Sequence, residues 1–130
     1  MTDEQWKNFF KVCNSVLGKG EFRALHSDSW CSWTTYRRLN QDAGYWTCGL
    51  PNRGEYGDSH IKDGGTWDQP FSFQEIAHII IPKIFYWETA GGPAFKHGTK
   101  KQNIEKLSEQ LTNAGIKHRK TDLLLEIKLY

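Results

Sequence analysis

Five histidines are the side chains of this 130-residue chain best suited to acid–base chemistry near neutral pH. No two of them have HxH, HxxxH or HExxH spacing, so a metal site is only weakly indicated and we predict none. A His/His/Lys set that cleaves RNA could assemble from His60, His97 and either Lys96 or Lys100, which makes a ribonuclease one alternative. We expect histidines scattered in this way to be solvated or singly hydrogen-bonded, and therefore predict no catalytic residues. The five are His26, His60, His78, His97 and His118.

The three cysteines, Cys13, Cys31 and Cys48, are odd in number and contain no CxxC spacing, which argues against a zinc site. We interpret them as reduced, partly buried residues of a cytoplasmic protein. A reactive thiol at Cys48 is the alternative, although no partner base can be placed beside it. The chain has no GxSxG, P-loop or GxGxxG motif, and we predict no cofactor.

Carboxylates are more informative, because they are interleaved with aromatic residues in the segment 40–69. This segment has six glycines, one proline and almost no periodicity, and long irregular segments are often functional. Acidic groups can complement a basic partner, and aromatic groups supply buried area. One alternative is that the acids only keep a loop soluble; another is that the segment is a set of short strands joined by turns. The predicted partner-binding residues are Glu55, Tyr56, Asp58, His60, Asp63, Trp67 and Asp68.

The amino-acid composition argues against a nucleic-acid partner and a membrane partner. The chain has 17 Lys and Arg against 15 Asp and Glu, a formal net charge of +2, which is too balanced for a dedicated nucleic-acid binder. An RNA-binding module that uses Trp33, Tyr36, Arg37 and Arg38 is therefore the weakest alternative. No apolar run of membrane-spanning length and no signal-peptide pattern is present, so we expect a cytoplasmic protein without a membrane partner.

The elements that must position these residues begin with an amphipathic helix. Thr2 or Asp3 can cap a helix that starts near Glu4, and Gly18 with Gly20 ends it. Its apolar positions recur at helical spacing at Trp6, Phe9, Phe10, Cys13, Val16 and Leu17. Propensity then predicts three strands, at residues 21–25, 29–39 and 45–48.

The C-terminal half is more regular. Residues 78–88 are rich in β-branched and aromatic side chains and are predicted as one strand. Just before it, Ser72 and Glu75 have the spacing of a capping box, so residues 71–77 either form a helical turn or lead directly into the strand. Ile104, Leu107 and Leu111 form the stripe of a second helix, predicted at residues 100–114.

A hairpin is predicted to close the chain, with residues 117–119 and 123–129 as its strands. Leu123, Leu125, Ile127 and Leu129 share one face of the last strand. Taken together, the pattern predicts an α+β fold in a single domain, 1–130. A central, mainly antiparallel sheet would carry two helices packed on one face.

The stretches HIIIPKIFYWE (78–88) and KKQNIEKLSEQLTNAGIKHRKTDLLLEIKLY (100–130) resemble a family of short bacterial proteins. That family includes immunity proteins of contact-dependent growth inhibition and related polymorphic toxin systems, and the resemblance covers about residues 76–130. It implies a small α/β protein that binds one cognate toxin domain, often a nuclease, and blocks it in the cytoplasm. The expected partner is thus the toxin's C-terminal nuclease domain. The resemblance implies no catalytic residues in this chain, and we expect neither a membrane nor a nucleic acid as a partner. Immunity proteins to nucleases are often acidic, so in this slightly basic chain the acids of segment 40–69 would have to supply the negative charge.

Overall fold

The computed structural model describes residues 1–130 and contains three helices and nine strands. The helices are α1 (Asp3–Leu17), α2 (Tyr36–Asn40) and α3 (Ile104–Asn113), with short 3-10 helices at Ala24–His26 and Phe73–Glu75. The strands are β1 (Cys31–Thr35), β2 (Trp46–Cys48), β3 (His60–Ile61), β4 (Phe71–Ser72), β5 (Ile76–Pro82), β6 (Ile84–Glu88), β7 (His97–Lys101), β8 (Arg119–Lys120) and β9 (Leu124–Lys128).

The central sheet has five antiparallel strands in the order β2-β1-β5-β9-β8. Two further antiparallel pairs, β3–β4 and β6–β7, lie outside it. On one face of the sheet Trp33, Ile79, Leu125 and Ile127 join the apolar sides of α1 and α3 in the main core cluster. This confirms the α+β prediction of a mainly antiparallel sheet with two helices on one face.

Helix α1 forms as its sequence predicts. The Thr2 hydroxyl accepts from the Gln5 amide while the Gln5 side chain accepts from the Thr2 amide, which completes a capping box. Gly18, with φ of +94°, ends the helix in a conformation that favours glycine. The predicted apolar face is confirmed, with Trp6, Phe9, Phe10, Cys13 and Leu17 buried.

Helix α3 is shorter than predicted, because its first predicted residues belong to a strand. Lys100 and Lys101 pair with β6, and the Asn103 side chain then caps α3 by accepting from the Lys106 amide. The apolar stripe is confirmed: Ile104, Leu107 and Leu111 are all buried.

Two of the predicted strands are wrong in part, and a third does not form. Residues 78–88 divide at Lys83 into β5 and β6, which belong to different sheets. Residues 29–39 are strand only as far as Thr35, whose hydroxyl accepts from the Arg38 amide and so begins α2. Residues 21–25 contain a 3-10 helix in place of a strand, while the capping-box turn at Ser72 and Glu75 does form.

The β6–β7 hairpin is fixed to the rest of the protein by one lysine and one aromatic pair. The Lys100 ammonium donates to the carbonyls of Ala24, Leu25 and Ser27 at 3.0, 2.9 and 2.8 Å. Phe85 stacks on Trp30 with 5.6 Å between ring centroids. The hairpin is therefore held from its inner face, and its outer face is left free.

Two glycines allow the segment after α1 to cross the segment after β2 at backbone contact. A Cβ on Gly20 would lie 1.8 Å from the Leu50 carbonyl oxygen, and one on Gly49 would lie 2.4 Å from the Glu21 amide nitrogen. The Gly49 amide donates to the Glu21 carbonyl at 2.9 Å across this crossing. Only residues without a side chain fit this approach.

Candidate functional site

Segment 40–69 is an ordered loop that contains the short strands β2 and β3, so the alternative of short strands joined by turns is correct in part. The loop is built around the carboxylate of Glu55. That carboxylate accepts from the backbone amides of Asn52 and Thr66, each at 3.0 Å, and from the Thr66 hydroxyl at 3.2 Å. The Asn52 side chain in turn bonds both backbone groups of Gly20. Glu55, a predicted contact residue, is therefore committed to holding the loop closed.

Tyr56 and Trp67 were predicted as exposed aromatic anchors, and the structure places both in the core. Trp67 is 4% exposed and stacks on Trp33 with 3.7 Å between centroids and 6° between planes. Its indole Nε1 donates to the Gly49 carbonyl at 3.2 Å. Tyr56 is buried against Phe10. Both rings therefore anchor the loop internally.

The other four predicted residues, Asp58, His60, Asp63 and Asp68, lie on the surface of the loop. Asp58 pairs with Lys7 of α1, whose hydrogen bond and charge hold the pKa of the Asp58 carboxyl below its usual value. Asp68 has φ of +52°, and its amide donates to the Gly65 carbonyl at 2.8 Å in a tight turn. Across 40–69 five acidic residues stand against two basic ones. A firmly anchored loop thus presents net negative charge.

The ribonuclease set proposed from sequence is not brought together. His60 lies on β3 and His97 on β7, in different sheets. The His97 ring lies against those of Tyr86 and Phe95, and the Lys100 ammonium is committed to three backbone carbonyls.

The surface expected for the RNA-binding alternative is only partly exposed. Trp33 is buried beneath Trp67 and cannot stack on a base. The Arg38 guanidinium lies 3.4 Å from the Trp46 ring centroid and donates to the carbonyls of Ala43 and Gly44. Tyr36 and Arg37 remain exposed.

All three cysteines are free and buried. Cys31 and Cys48 are directly opposite each other on β1 and β2. The hydrogen bond from the Cys31 thiol lowers the pKa of Cys48, whereas burial raises the pKa of Cys13 and of Cys31. The Cys48 sulfur is nonetheless packed in the core, where a substrate has no access.

A hydrogen-bonded cluster on the opposite face of the sheet was missed by the sequence reasoning. The hydroxyl of Tyr45 lies 2.7 Å from His78 Nδ1 and 3.1 Å from the hydroxyl of Tyr130. His78 Nε2 lies 3.8 Å from the Glu126 carboxylate, which is also 3.6 Å from Arg119. Tyr45 and Tyr130 are 85 residues apart in sequence, so no local motif could have indicated the cluster.

The cluster is electrically neutral at its centre. Mainly because of desolvation, the pKa of the Tyr45 hydroxyl is raised to about 12, so the hydroxyl stays protonated at neutral pH. Burial lowers the pKa of His78, although the nearby charge of Glu126 acts to raise it. The hydrogen bond between His78 Nδ1 and the Tyr45 hydroxyl fastens the segment before β2 to the central strand β5. Its chemistry is that of a structural network.

We expect the stability of the protein to fall as the pH is lowered through the range in which His78 titrates. His78 is 7% exposed and its folded-state pKa lies below its ordinary value of 6.5, so the unfolded chain binds the proton more readily. The free energy of unfolding should be highest above about pH 6.5 and decline from there until the lowered pKa is passed. Urea unfolding between about pH 7.5 and about pH 5 measures this.

The control is a comparison of two histidine variants. His78→Gln should flatten the dependence in that window, whereas His26→Gln, at an exposed position, should leave it as in the wild type. An unchanged slope in His78→Gln protein would show that another group causes the decline.

The outer face of the β6–β7 hairpin exposes several large apolar side chains. Ile84, Tyr86 and Phe95 are all exposed large hydrophobic residues, and His97 lies between the rings of Tyr86 and Phe95. Alternation along β6 explains this, because Phe85 and its neighbours on the inner face are used in packing. The sequence predicted a strand here but could not predict which face would remain uncovered.

No family model matches this chain, and neither a curated protein nor a solved structure does. None of its helices has the length and apolar character needed to cross a membrane. Functional inference therefore rests on the residues described above.

Proposed function

We propose that this protein is an immunity protein that binds a cognate bacterial toxin domain, a nuclease, in the cytoplasm and occludes its active site. The observation that carries the proposal is the anchored acidic loop. Asp58, Asp63 and Asp68 are exposed, whereas Glu55 and Trp67 of the same loop are committed to hydrogen bonding and to the core.

The anchoring matters because a partner that meets a rigid loop does not have to order it. Ordering flexible side chains and loops on binding subtracts from affinity, and a preformed surface avoids much of that loss. Here the frame is fixed by Trp67 stacking and by the Glu55 hydrogen bonds, which leave the aspartates in place before any partner arrives.

The charge of the loop fits the chemistry of the proposed partner. A nuclease must present cationic groups to hold the phosphates of its substrate. Carboxylates on an inhibitor complement those groups, steer association and exclude the substrate. Because Tyr56 and Trp67 are buried, the apolar part of the contact must come from elsewhere, and the outer face of the β6–β7 hairpin offers exposed Tyr86 and Phe95.

We expect the double variant Asp58→Asn/Asp63→Asn to bind the toxin domain encoded immediately upstream of this protein's gene with a reduced association rate. Loss of two surface charges should lower that rate roughly tenfold at low ionic strength, and the difference should shrink as salt is added. Stopped-flow association at several salt concentrations measures the effect, and circular dichroism checks the fold.

The matched control removes two acids elsewhere on the surface. Glu109→Gln/Asp122→Asn changes the net charge equally at exposed positions outside the loop. Equal rates for the two double variants would place the contact away from the loop, and Tyr86→Ala and Phe95→Ala would then test the hairpin face. Failure of the upstream toxin domain to bind wild-type protein at all would contradict the proposed function itself.

A further inference from the structure

A cleft of 520 Å³ opens at the end of the central sheet, where β8 and β9 diverge. Lys117 and Arg119 line one side, Glu126 and Lys128 line the other, and Gln5 of α1 contributes to the wall. No residue of the acidic loop or of the β6–β7 hairpin lines it, and it shares Arg119 and Glu126 with the His78 cluster.

The cleft has more positive charge than its own carboxylate can balance. Glu126 is already shared between Arg119, at 3.6 Å, and His78. Lys117 and Lys128 form no ion pair with any carboxylate of the chain. The fourth basic residue of the wall, His118, uses both ring nitrogens, on the Ser108 hydroxyl at 2.6 Å and the Ile116 carbonyl at 2.8 Å. Three cations therefore line the cleft with one shared acid.

The backbone adds a donor at the same place. Strand β8 pairs with β9 only as far as Arg119 and Glu126. The Leu129 amide donates to the carbonyl of Ala77 in β5. Because successive residues of a strand direct their backbone groups to opposite sides, the amide of Lys128 is directed away from β5 and toward the cleft.

From these features we propose that the cleft binds a small multivalent oxyanion, a ligand carrying two or more linked phosphoryl groups. Arginine and lysine suit such a ligand, because the guanidinium gives paired hydrogen bonds to phosphoryl oxygens and the ammonium gives a point charge. A compact ligand fits better than an added peptide strand, since only Ile127 and Lys128 of β9 lie beyond the last pair with β8.

The test is titration of the full-length protein with inorganic tripolyphosphate and, separately, with ATP, followed by calorimetry at low ionic strength. Tripolyphosphate should bind with one site per chain. Lys128→Gln and Arg119→Gln should each weaken binding by about tenfold, because each removes a hydrogen bond to a charged group. If ATP binds with the same affinity as tripolyphosphate, recognition depends on the phosphoryl chain. If ATP binds more tightly, its base makes an additional contact. Both outcomes support the proposal.

The control variants are Lys62→Gln and Lys96→Gln, which remove exposed lysines distant in sequence from the cleft. They should bind tripolyphosphate as the wild type does. A second measurement follows the backbone amide of Lys128 by nuclear magnetic resonance, which should shift on addition of tripolyphosphate. This signal does not depend on a variant remaining folded.

Several results would overturn the proposal. One is the absence of binding to wild-type protein, and another is equal weakening in cleft and control variants, which would indicate nonspecific charge attraction. A third is an unmoved Lys128 amide at saturating tripolyphosphate. Binding of only a short single-stranded RNA or a glutamate-rich peptide, without binding of tripolyphosphate or ATP, would also exclude a small oxyanion as the ligand.

Discussion

Replacing Trp67 with alanine is expected to lower the free energy of unfolding by about 3–5 kcal/mol. The indole stacks on Trp33, lies at 5.8 Å from the Phe10 ring and hydrogen-bonds the Gly49 carbonyl. Truncation removes this packing and leaves a cavity that the two remaining rings cannot close without moving the sheet. It also removes the donor that satisfies a buried carbonyl. We therefore expect the Trp67→Ala substitution to lower stability, although the sequence predicted Trp67 as a partner-binding residue.

Urea unfolding of Trp67→Ala against the wild type measures this loss. The matched control is Gln69→Ala, an exposed substitution two residues away, which should change stability by no more than about 0.5 kcal/mol. If Trp67→Ala unfolds like the wild type, the indole does not occupy the core and becomes a candidate partner contact again.

Leu125→Ala is the second large effect that we expect, at about 2–5 kcal/mol. Leu125 is 1% exposed, lies opposite Ile81 in the sheet register, and belongs to the same core cluster as the apolar stripe of α3. Removing three carbon atoms here takes contacts from both the sheet and the helix layer, so neither layer can collapse alone to fill the space.

The chain supplies its own control for this substitution. Leu123 has the same side chain and was predicted on the same face, yet it is 76% exposed because it lies in the turn before β9. Leu123→Ala should therefore be close to neutral. Equal losses for the two variants, measured by the same urea unfolding, would contradict the register of β9 against β5.

The elements that the sequence predicted well are those decided by neighbouring residues. The Thr2 and Gln5 capping box, the apolar stripe of α3 and the turn at Ser72 all depend on side chains within one or two helical turns. The break at Lys83 was missed, because strand propensity is equally high on both sides of it. It is fixed by distant partners: the Lys83 amide donates to the Leu123 carbonyl, and its carbonyl accepts from Gln102.

The residues of the candidate site also differ in how far the sequence could predict their positions. Exposure of the aspartates could be expected from their residue type, since ionised carboxylates are seldom buried unpaired. The burial of Trp67 could not, because tryptophan suits both a core and an interface, and here its place is decided by Trp33, far away in sequence. The His78 cluster and the cationic cleft depend on strand order, which no local pattern encodes.

The glycine crossing at Gly20 and Gly49 has a consequence for how this protein can change over evolutionary time. Since the crossing tolerates no side chain, it fixes the path of the loop at its base, whatever residues occupy its tips. Gly54 and Gly64, by contrast, lie in open turns where an added atom meets nothing within 4 Å. Variation can therefore accumulate beside these turns, at positions such as Asp63, without loosening the frame. In the proposed immunity function, recognition of a partner and retention of the fold would thus be assigned to different residues of one loop.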